Sequence, residues 1–252
     1  MLPSNGKQVR QTYNYHMTPD ELQVLFKHVD EHCSMKYKIA LLLMVSRGMR
    51  PSEALAVNVA DFVHEPYFFA KLTFREAKTN KLRQKEKIVK PVADQIYLYV
   101  KLNRFRLKEG FLFPFYTKKS EGLPFMDSKT FGAWFSKIRQ QIGKKHKNFL
   151  DKHTITTSTG KKQNRYRINT YSLRRFFETY LYVNNGFNLA ALKEIMEYSS
   201  KFDPMKHYIK YFHKEKEKND TLEETFTPLV KALIGMDEDD KTESDNQAAG
   251  KA

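Results

Sequence analysis

Cysteine is almost absent from this 252-residue chain, in which Cys33 is the only one. A single thiol can form no internal disulfide and no cysteine-based zinc site. The chain also lacks any apolar run near the roughly 20 residues that a membrane helix needs, since its longest covers residues 39–45. Its first 15 residues lack the apolar segment of a secretory signal. We therefore expect a protein of a reducing, cytoplasmic compartment with no membrane partner.

Acidic residues are scarce next to basic ones. Lysine and arginine number 44 against 29 aspartate and glutamate residues, which gives a formal net charge of +15. Residues 236–252 hold six acids and two lysines, so the remaining chain has 42 basic and 23 acidic residues, or +19. A body this basic favours a polyanionic partner, usually nucleic acid, over the alternative of a merely soluble, lysine-rich surface.

Helical spacing dominates the apolar pattern. The run Thr-Pro-Asp-Glu at residues 18–21 has the form of a capping box with proline at the first helical position. A second helix is predicted over residues 37–46 with a stop at Gly48, and a third starts at Pro51. Further helices are predicted over residues 93–107, after Asp127 or Ser128, and over residues 170–184, 188–198, 204–217 and 222–234.

Two segments have a strand-like composition, and residues 111–117 are predicted to be a buried loop or a short strand. Residues 67–74 and 86–92 are rich in aromatic and β-branched residues, and the basic stretch between them predicts the turn of a β-hairpin. Residues 144–167 are predicted to be a basic loop. The expected fold class is therefore α+β, mostly helical, with a small antiparallel β-sheet. Residues 17–235 would form one domain, between a flexible lead-in of residues 1–16 and a disordered acidic tail of residues 236–252.

Two arginines are candidates for binding a phosphate. Arg50 immediately precedes the helix that starts at Pro51, and Glu53, one turn on, can hold its guanidinium in place. Tyr171 and Arg174 lie three residues apart on one face of a helix that has a broad apolar stripe. When either feature is taken alone, an ordinary surface ion pair or a solvated helix face is the better interpretation.

Five short motifs give these residues a common context. They are Gly-Met-Arg-Pro-Ser-Glu-Ala-Leu from Gly48, Ala-Lys-Thr-Asn-Lys from Ala77, Tyr-x-Leu-Arg-Arg from Tyr171, Tyr-Ser-Ser from Tyr198 and Lys-His-Tyr-Ile from Lys206. Their order and spacing resemble the catalytic domain of the tyrosine recombinases, the phage integrase family, over about residues 17–211. Substitution at the family's usual histidine positions is similar to that of archaeal and viral integrases. The resemblance implies the tyrosine-recombinase catalytic-domain fold.

The resemblance also implies a role for each matching residue. Arg50 and Arg174 would clamp the scissile phosphate, with Glu53 supporting Arg50. Lys78 would protonate the leaving 5′ hydroxyl, and Tyr208 would attack the phosphate to form a 3′-phosphotyrosine. Such chemistry implies no metal, no ATP and no other cofactor.

Tyrosine occupies two further catalytic positions of the family pattern. Tyr171 stands where many members carry histidine, and Tyr198 stands where histidine or tryptophan is usual. Both can donate a hydrogen bond, but a phenol with a pKa of about 10 is a poor general base at neutral pH. Tyr211 is the alternative nucleophile, and His207 is an alternative group for proton transfer.

DNA contacts would come from basic residues of the hairpin turn and of the stretch before the Arg174 helix. As phosphate contacts they would position DNA without reading its sequence. The implied partner is double-stranded DNA, bound by a homo-oligomer of two to four protomers. Residues 222–234 would dock on a neighbouring protomer or pack on their own domain. The candidate DNA-binding residues are Lys81, Arg83, Lys85, Lys161, Lys162, Arg165 and Arg167.

The expected function is that of a site-specific DNA recombinase or integrase of a viral or mobile element, acting on nucleoid or host-cell DNA. Three alternatives stay open: a DNA-binding module of recombinase fold that cannot cut, a nicking-closing enzyme like the type IB topoisomerases, and a basic RNA-binding protein. Only about 16 residues precede the predicted domain, where family members usually have a helical DNA-clamping domain. We therefore expect a naturally short recombinase or an isolated catalytic domain, with weak and salt-sensitive DNA binding.

Overall fold

The computed structural model describes residues 17–65, 68–75, 82–103, 107, 110–114, 125–156, 160–186, 188–196 and 215–236. Within these ranges the helices are α1 (Pro19–His32), α2 (Met35–Arg47), α3 (Pro51–Leu55), α4 (Lys90–Asn103), α5 (Ser128–Gly143), α6 (Thr170–Asn184), α7 (Leu189–Met196) and α8 (Glu215–Ile234). The strands are β1 (Phe62–Glu65), β2 (Phe68–Arg75), β3 (Leu82–Lys87), β4 (Lys152–Thr156) and β5 (Lys162–Tyr166). The predicted mostly helical α+β class is confirmed.

Local sequence signals determine where the helices begin and end. The capping box of α1 is confirmed: Thr18 Oγ1 accepts from Glu21 N at 3.2 Å, and Glu21 Oε2 accepts from Thr18 N at 3.0 Å. Asp127 caps α5, and α6 begins at Thr170 as predicted. Helix α2 ends at Gly48, which has a φ of 63°, a left-handed conformation that glycine adopts without steric cost.

Helix α2 lies at the centre of the hydrophobic core. Its residues 38–47 are all buried, as expected of a helix that is apolar on most of its surface. Helix α6 packs on α2, and α8 covers both of them. Phe226 of α8 stacks on Phe177 of α6, with ring centroids 4.7 Å apart.

Helix α8 completes this core from within the same chain. Its apolar residues face α1, α2, α4 and α6, so of the two alternatives for residues 222–234 the structure shows packing on their own domain. The buried residues are Leu222, Phe226, Leu229, Val230 and Leu233. No helix in the described part of the chain is long and apolar enough to cross a membrane.

The predicted hairpin exists, but its second strand was placed wrongly. Strands β1, β2 and β3 form one antiparallel sheet in that order, and β1 was not predicted. Strand β3 ends at Lys87 instead of continuing to residue 92. Ile88 and Val89 are buried and only resemble a strand in sequence, while Pro91 fits the first turn of α4. Helix α4 accordingly begins earlier than predicted, and it is described as far as Asn103.

The stretch predicted as a basic loop contains a second hairpin instead. Strands β4 and β5 pair in regular antiparallel register, and Thr154 Oγ1 donates to Asn164 Oδ1 across them at 2.8 Å. Tyr166 of β5 packs under the Arg139 guanidinium, 3.6 Å from its ring centroid. The prediction failed because β5 is polar on both faces and shows no apolar alternation.

Helix α7 is described as far as Met196, and the last two residues of the predicted helix lie outside the described residues. The helix predicted over residues 204–217 lies mostly outside the described residues, and its last three residues belong to α8. The predicted lead-in and almost all of the predicted acidic tail also lie outside the described ranges.

Candidate active site

One arginine is held by both oxygens of a buried glutamate. Arg50 is the residue before α3, and Glu53 Oε1 accepts from its Nη1 at 2.7 Å. Glu53 Oε2 accepts from the Arg50 backbone N–H, also at 2.7 Å. The Glu53 side chain is 1% exposed, whereas that of Arg50 is 20% exposed. The carboxylate therefore fixes one edge of the guanidinium and leaves part of the group at the surface.

The second candidate arginine is anchored to the turn between α2 and α3. Arg174 Nη1 donates to the Gly48 carbonyl oxygen at 2.5 Å, and Arg174 Nε donates to Glu178 Oε1 at 3.0 Å. Its side chain is 14% exposed. Gly48 precedes Arg50 by two residues, so the fold brings the two predicted arginines to the same turn. Glu178 was not singled out in the sequence, although its i+4 spacing from Arg174 is a signal that could have identified it.

The turn after α2 requires glycine at position 48, because α6 packs closely against it. A Cβ atom on Gly48 would lie 2.6 Å from Phe177 Cδ1, closer than real Cβ contacts come. Phe177 belongs to α6 and is itself fully buried. The missing side chain at Gly48 therefore lets α6 approach the turn closely enough for Arg174 to reach its carbonyl oxygen.

Tyr171 lies at the exposed edge of this arrangement. It is in the first turn of α6, one helical turn before Arg174, and 57% of its surface is exposed. The α6 start is fixed by Asn169, whose Oδ1 accepts from the Tyr171 backbone N–H at 2.9 Å. The phenol thus stands beside Arg174 on the same helix face, where it is open to a ligand from solution.

Several predicted site residues lie outside the described part of the chain. The proposed nucleophile Tyr208, its alternative Tyr211, the proposed lysine Lys78 and Tyr198 are among them, as are His207 and Lys81. Lys85 belongs to β3, but its side chain also lies outside the described set. The chain enters the gap that contains Lys78 from the end of β2 and enters the gap that contains Tyr198 and Tyr208 from the end of α7.

Two residues predicted to contact DNA form ion pairs with carboxylates of the protein. Arg83 is 6% exposed, pairs with Glu86 and donates from Nη2 to the Ile195 carbonyl oxygen at 3.0 Å. Arg167 pairs with Glu21 through both terminal nitrogens. Arg83 is thus buried away from the surface, whereas Arg167 is partly exposed and its contact with DNA stays a prediction. The sequence did not indicate which arginines pair with protein carboxylates, because a basic segment does not distinguish buried arginines from exposed ones.

The other described candidates for DNA contact form an exposed patch on the hairpin of β4 and β5. Lys161, Lys162 and Arg165 are all exposed. His153 lies opposite Arg165 across the strands, and burial lowers its pKa, with further lowering by Arg175 and then Arg165. Arg175 of α6 is exposed as well, and its positive charge acts on the same imidazole. We name Lys161, Lys162, Arg165 and Arg175 the hairpin patch.

Within the described residues, no group of three or more histidine, cysteine, aspartate or glutamate side chains could hold a metal ion. The mostly helical fold with small antiparallel sheets is that of a tyrosine-recombinase catalytic domain, as the similarity to a solved phage integrase shows. The model of the phage integrase family matches residues 16–218, and the chain therefore belongs to the phage integrase family.

Solved structures of similar fold include the integrase from mycobacterium phage Brujita, at 12% identity and a TM-score of 0.51, with 86% of this chain and 62% of that one covered. The XerH site-specific recombinase bound to difH substrate in a pre-cleavage complex has 18% identity and a TM-score of 0.47, with 74% and 47% covered. The Tn1549 transposon integrase in complex with circular intermediate DNA has 18% identity and a TM-score of 0.49, with 81% and 64% covered. The chain thus spans about half to two thirds of these relatives. No curated protein matches it.

Proposed function

We propose that this chain is the catalytic domain of a site-specific tyrosine recombinase that cleaves and rejoins double-stranded DNA. The observation that carries the proposal is the meeting of Arg50 and Arg174 at the turn that follows α2. Both guanidinium groups are held by protein acceptors and remain partly exposed. Two such groups, fixed in advance, are suited to stabilise charge on one phosphate.

The proposed reaction is a transesterification at phosphorus. The Tyr208 phenol gives up its proton, to His207 or to water, as its oxygen attacks the scissile phosphate. The bond from phosphorus to the 5′ oxygen breaks, and a 3′-phosphotyrosine forms. Lys78 gives its proton to the departing 5′ oxygen. Arg50 and Arg174 stabilise the negative charge that grows on the non-bridging oxygens, and Tyr171 donates a further hydrogen bond to them. The covalent bond keeps the energy of the phosphodiester, so the proposed reaction needs no ATP. The two guanidinium groups stabilise the phosphate charge in place of a metal.

The basic surface supports DNA as the substrate. The hairpin patch is continuous in sequence with the start of α6, and its exposed cations suit a phosphate backbone. We further propose that residues 17–235 form the catalytic domain and that two to four protomers assemble on DNA. Lys81 and Lys85 are proposed as additional phosphate contacts, as expected from the sequence.

Covalent trapping tests this function. The protein is mixed with supercoiled plasmid and nicked duplex pools in EDTA without ATP, and protein that stays on DNA through SDS is measured. We expect an adduct with the wild type and with Tyr211→Phe, but none with Tyr208→Phe. Loss only in Tyr211→Phe would move the nucleophile to that residue. Salt-sensitive binding without an adduct would favour the non-cutting module, and an adduct that never exchanges strands between paired sites would favour a nicking-closing enzyme.

A further inference from the structure

A buried carboxylate on β3 is surrounded by three cationic side chains, one each from α2, β3 and α8. Glu86 Oε2 accepts from Arg47 Nη2 and lies 3.4 Å from Lys218 Nζ. Glu86 Oε1 accepts from Arg83 Nε at 3.0 Å. Arg47, Arg83 and Glu86 are buried, and the Lys218 side chain is largely covered. We name these four residues the Glu86 cluster.

The cluster keeps Glu86 ionised. Burial alone would raise the pKa of the Glu86 carboxyl, but attraction by Arg47, Arg83 and Lys218 outweighs burial and lowers the pKa to about 2. The carboxylate is therefore the negative centre on which three positive side chains converge at neutral pH. Its loss would leave those cations facing one another in a poorly hydrated space.

Each arm of the cluster reaches a segment next to the candidate active site. Arg47 is the last residue of α2 and precedes Arg50 by three residues. Arg83 also binds the Ile195 carbonyl oxygen at the end of α7, and Lys218 lies near the start of α8. In sequence, α7 and α8 flank the stretch that contains the proposed nucleophile. Strands β2 and β3 flank the turn that contains the proposed lysine.

We propose that Glu86 is a positioning residue for DNA cleavage. Its cluster connects the turn after α2, the hairpin of β2 and β3, and the helices α7 and α8 that flank the proposed nucleophile in sequence. The inference rests on the proposed function. Glu86 touches neither the phosphate nor the attacking oxygen in this scheme. It acts by fixing the elements that carry the groups which do.

Fold stability alone does not account well for such a cluster. The cost of removing charges from water offsets most of their attraction, and apolar groups of similar volume often stabilise a fold as well. Charged hydrogen bonds instead specify direction and distance. Helix α8 is already held on the core by the five buried apolar residues described above. The main effect of the Lys218 ion pair is therefore to fix the position of the first turns of α8.

The decisive variant removes one cation of the Glu86 cluster and leaves its buried ion pairs intact. Lys218→Met keeps the side-chain length and the Arg47–Glu86–Arg83 bonds. Lys90→Met is the matched control, because Lys90 carries the same charge but has an exposed side chain that pairs with Asp94 at the surface. For both variants and the wild type, the rate of adduct formation on a nicked suicide duplex is measured at saturating DNA. The DNA dissociation constant and the thermal midpoint are measured alongside.

We expect Lys218→Met to slow adduct formation about tenfold, because small misplacements of reacting groups are costly, with the DNA dissociation constant within about twofold of the wild type. Lys90→Met should match the wild type in rate. In a Glu86→Gln background, Lys218→Met should cause no further slowing, because both changes act on the same contact. If Glu86→Gln does not fold, the comparison of Lys218→Met with Lys90→Met decides alone.

An unchanged rate in Lys218→Met overturns the inference, as does equal slowing in Lys90→Met, which would indicate a general effect of charge. Slowing that is matched by a loss of DNA affinity, or removed by cooling well below the thermal midpoint, also overturns it. If the wild type itself forms no adduct on any substrate, the proposed function has failed and the inference falls with it. An active wild type with a normal Lys218→Met rate refutes the inference alone.

Discussion

Arg174 Nη1 and the Gly48 carbonyl oxygen are 2.5 Å apart, although the two residues are separated by 126 positions in the sequence. The bond joins α6 to the turn that follows α2. Two residues beyond Gly48, Arg50 is fixed by Glu53. A backbone oxygen is a better anchor than a flexible side chain, so the relative position of the two arginines depends on how closely α6 approaches the turn.

Alanine at Gly48 tests this dependence. The left-handed φ of 63° costs a residue with a Cβ about 1 kcal/mol, and the clash with Phe177 adds about 1–3 kcal/mol of overpacking. We expect Gly48→Ala to lower the free energy of unfolding by about 2–4 kcal/mol. Urea denaturation measures the loss. Adduct formation should also slow, because the displaced turn carries the Arg174 acceptor.

Gly186→Ala separates the two causes. Gly186 has a similar φ of 61°, but a Cβ there would meet nothing within 4 Å. This variant should therefore lose only the backbone part, about 1 kcal/mol. Equal losses in the two variants would show that the Phe177 contact relaxes at no cost, which would contradict the packing argument.

Glutamine at Glu53 tests the support of Arg50. The substitution keeps the shape but removes the charge from a side chain that is 1% exposed and binds Arg50 twice. We expect adduct formation to slow about tenfold or more, because an arginine without its acceptor is less well aimed, while DNA binding changes little. Single-turnover trapping at saturating DNA measures the rate.

Glu178→Gln is the control for Glu53. Glu178 Oε1 accepts from Arg174 Nε, but Arg174 is also held by the Gly48 carbonyl oxygen. Its loss should therefore slow the reaction less than the loss of the Glu53 charge. A larger effect in Glu178→Gln would mean that the side chain, and not the backbone, is the main anchor of Arg174.

Two arginines that look alike in the sequence should respond in opposite ways. Arg165 is exposed in the hairpin patch, whereas Arg83 is buried in the Glu86 cluster. Arg165→Gln should weaken DNA binding, lower the slope of log affinity against log salt by about 1 and leave stability unchanged. Arg83→Gln should instead lower the free energy of unfolding by about 3 kcal/mol, since it breaks a buried charged pair.

Fluorescence anisotropy over a salt series and urea denaturation separate these effects. If Arg83→Gln lowers DNA affinity without any loss of stability, Arg83 contacts DNA and its assignment to a buried ion pair is wrong. An unchanged salt slope in Arg165→Gln would remove the hairpin patch from the proposed interface.

Much of the fold could be predicted because its signals are local. The capping box of α1, the stop at Gly48 and the start of α6 each depend on a few neighbouring residues, and all were predicted correctly. The hairpin of β4 and β5 was missed because its stability depends on contacts from elsewhere. Arg139, which covers Tyr166, lies 27 residues before it in the sequence.

The candidate site shows the same division. Arg50, Glu53 and Arg174 belong to short motifs, so they could be named from the sequence. The Glu86 cluster could not, because Arg47 and Lys218 come from α2 and α8 and no local spacing relates them to Glu86. For the same reason Arg83 was predicted as a DNA contact: a basic segment does not indicate which of its cations will meet a buried carboxylate.

Acid should weaken the Glu86 cluster within a defined pH window. The pKa of Glu86 is lowered from 4.5 to about 2 on folding, so the folded protein binds its proton less readily than the unfolded chain does. The resulting stabilisation is fully present above about pH 4.5 and is lost as the pH falls towards 2. By linkage it is on the order of 3 kcal/mol. We therefore expect the difference in unfolding free energy between wild type and Glu86→Gln to be constant from about pH 7 to 5 and to shrink below about pH 4.5.

Urea denaturation of both proteins across this pH range measures the difference, and the other titrating groups largely cancel between them. Lys218→Met is the graded control, because it removes one of the three cations that lower the Glu86 pKa. Only the folded-state pKa changes in this variant, so its acid-induced loss should still begin near pH 4.5 but be smaller, and level off at a higher pH, than that of the wild type. The difference in unfolding free energy between the wild type and Glu86→Gln could be absent at about pH 6, or could persist unchanged to about pH 2.5. Either result would contradict an ionised Glu86 whose pKa is lowered by its partners in the folded state.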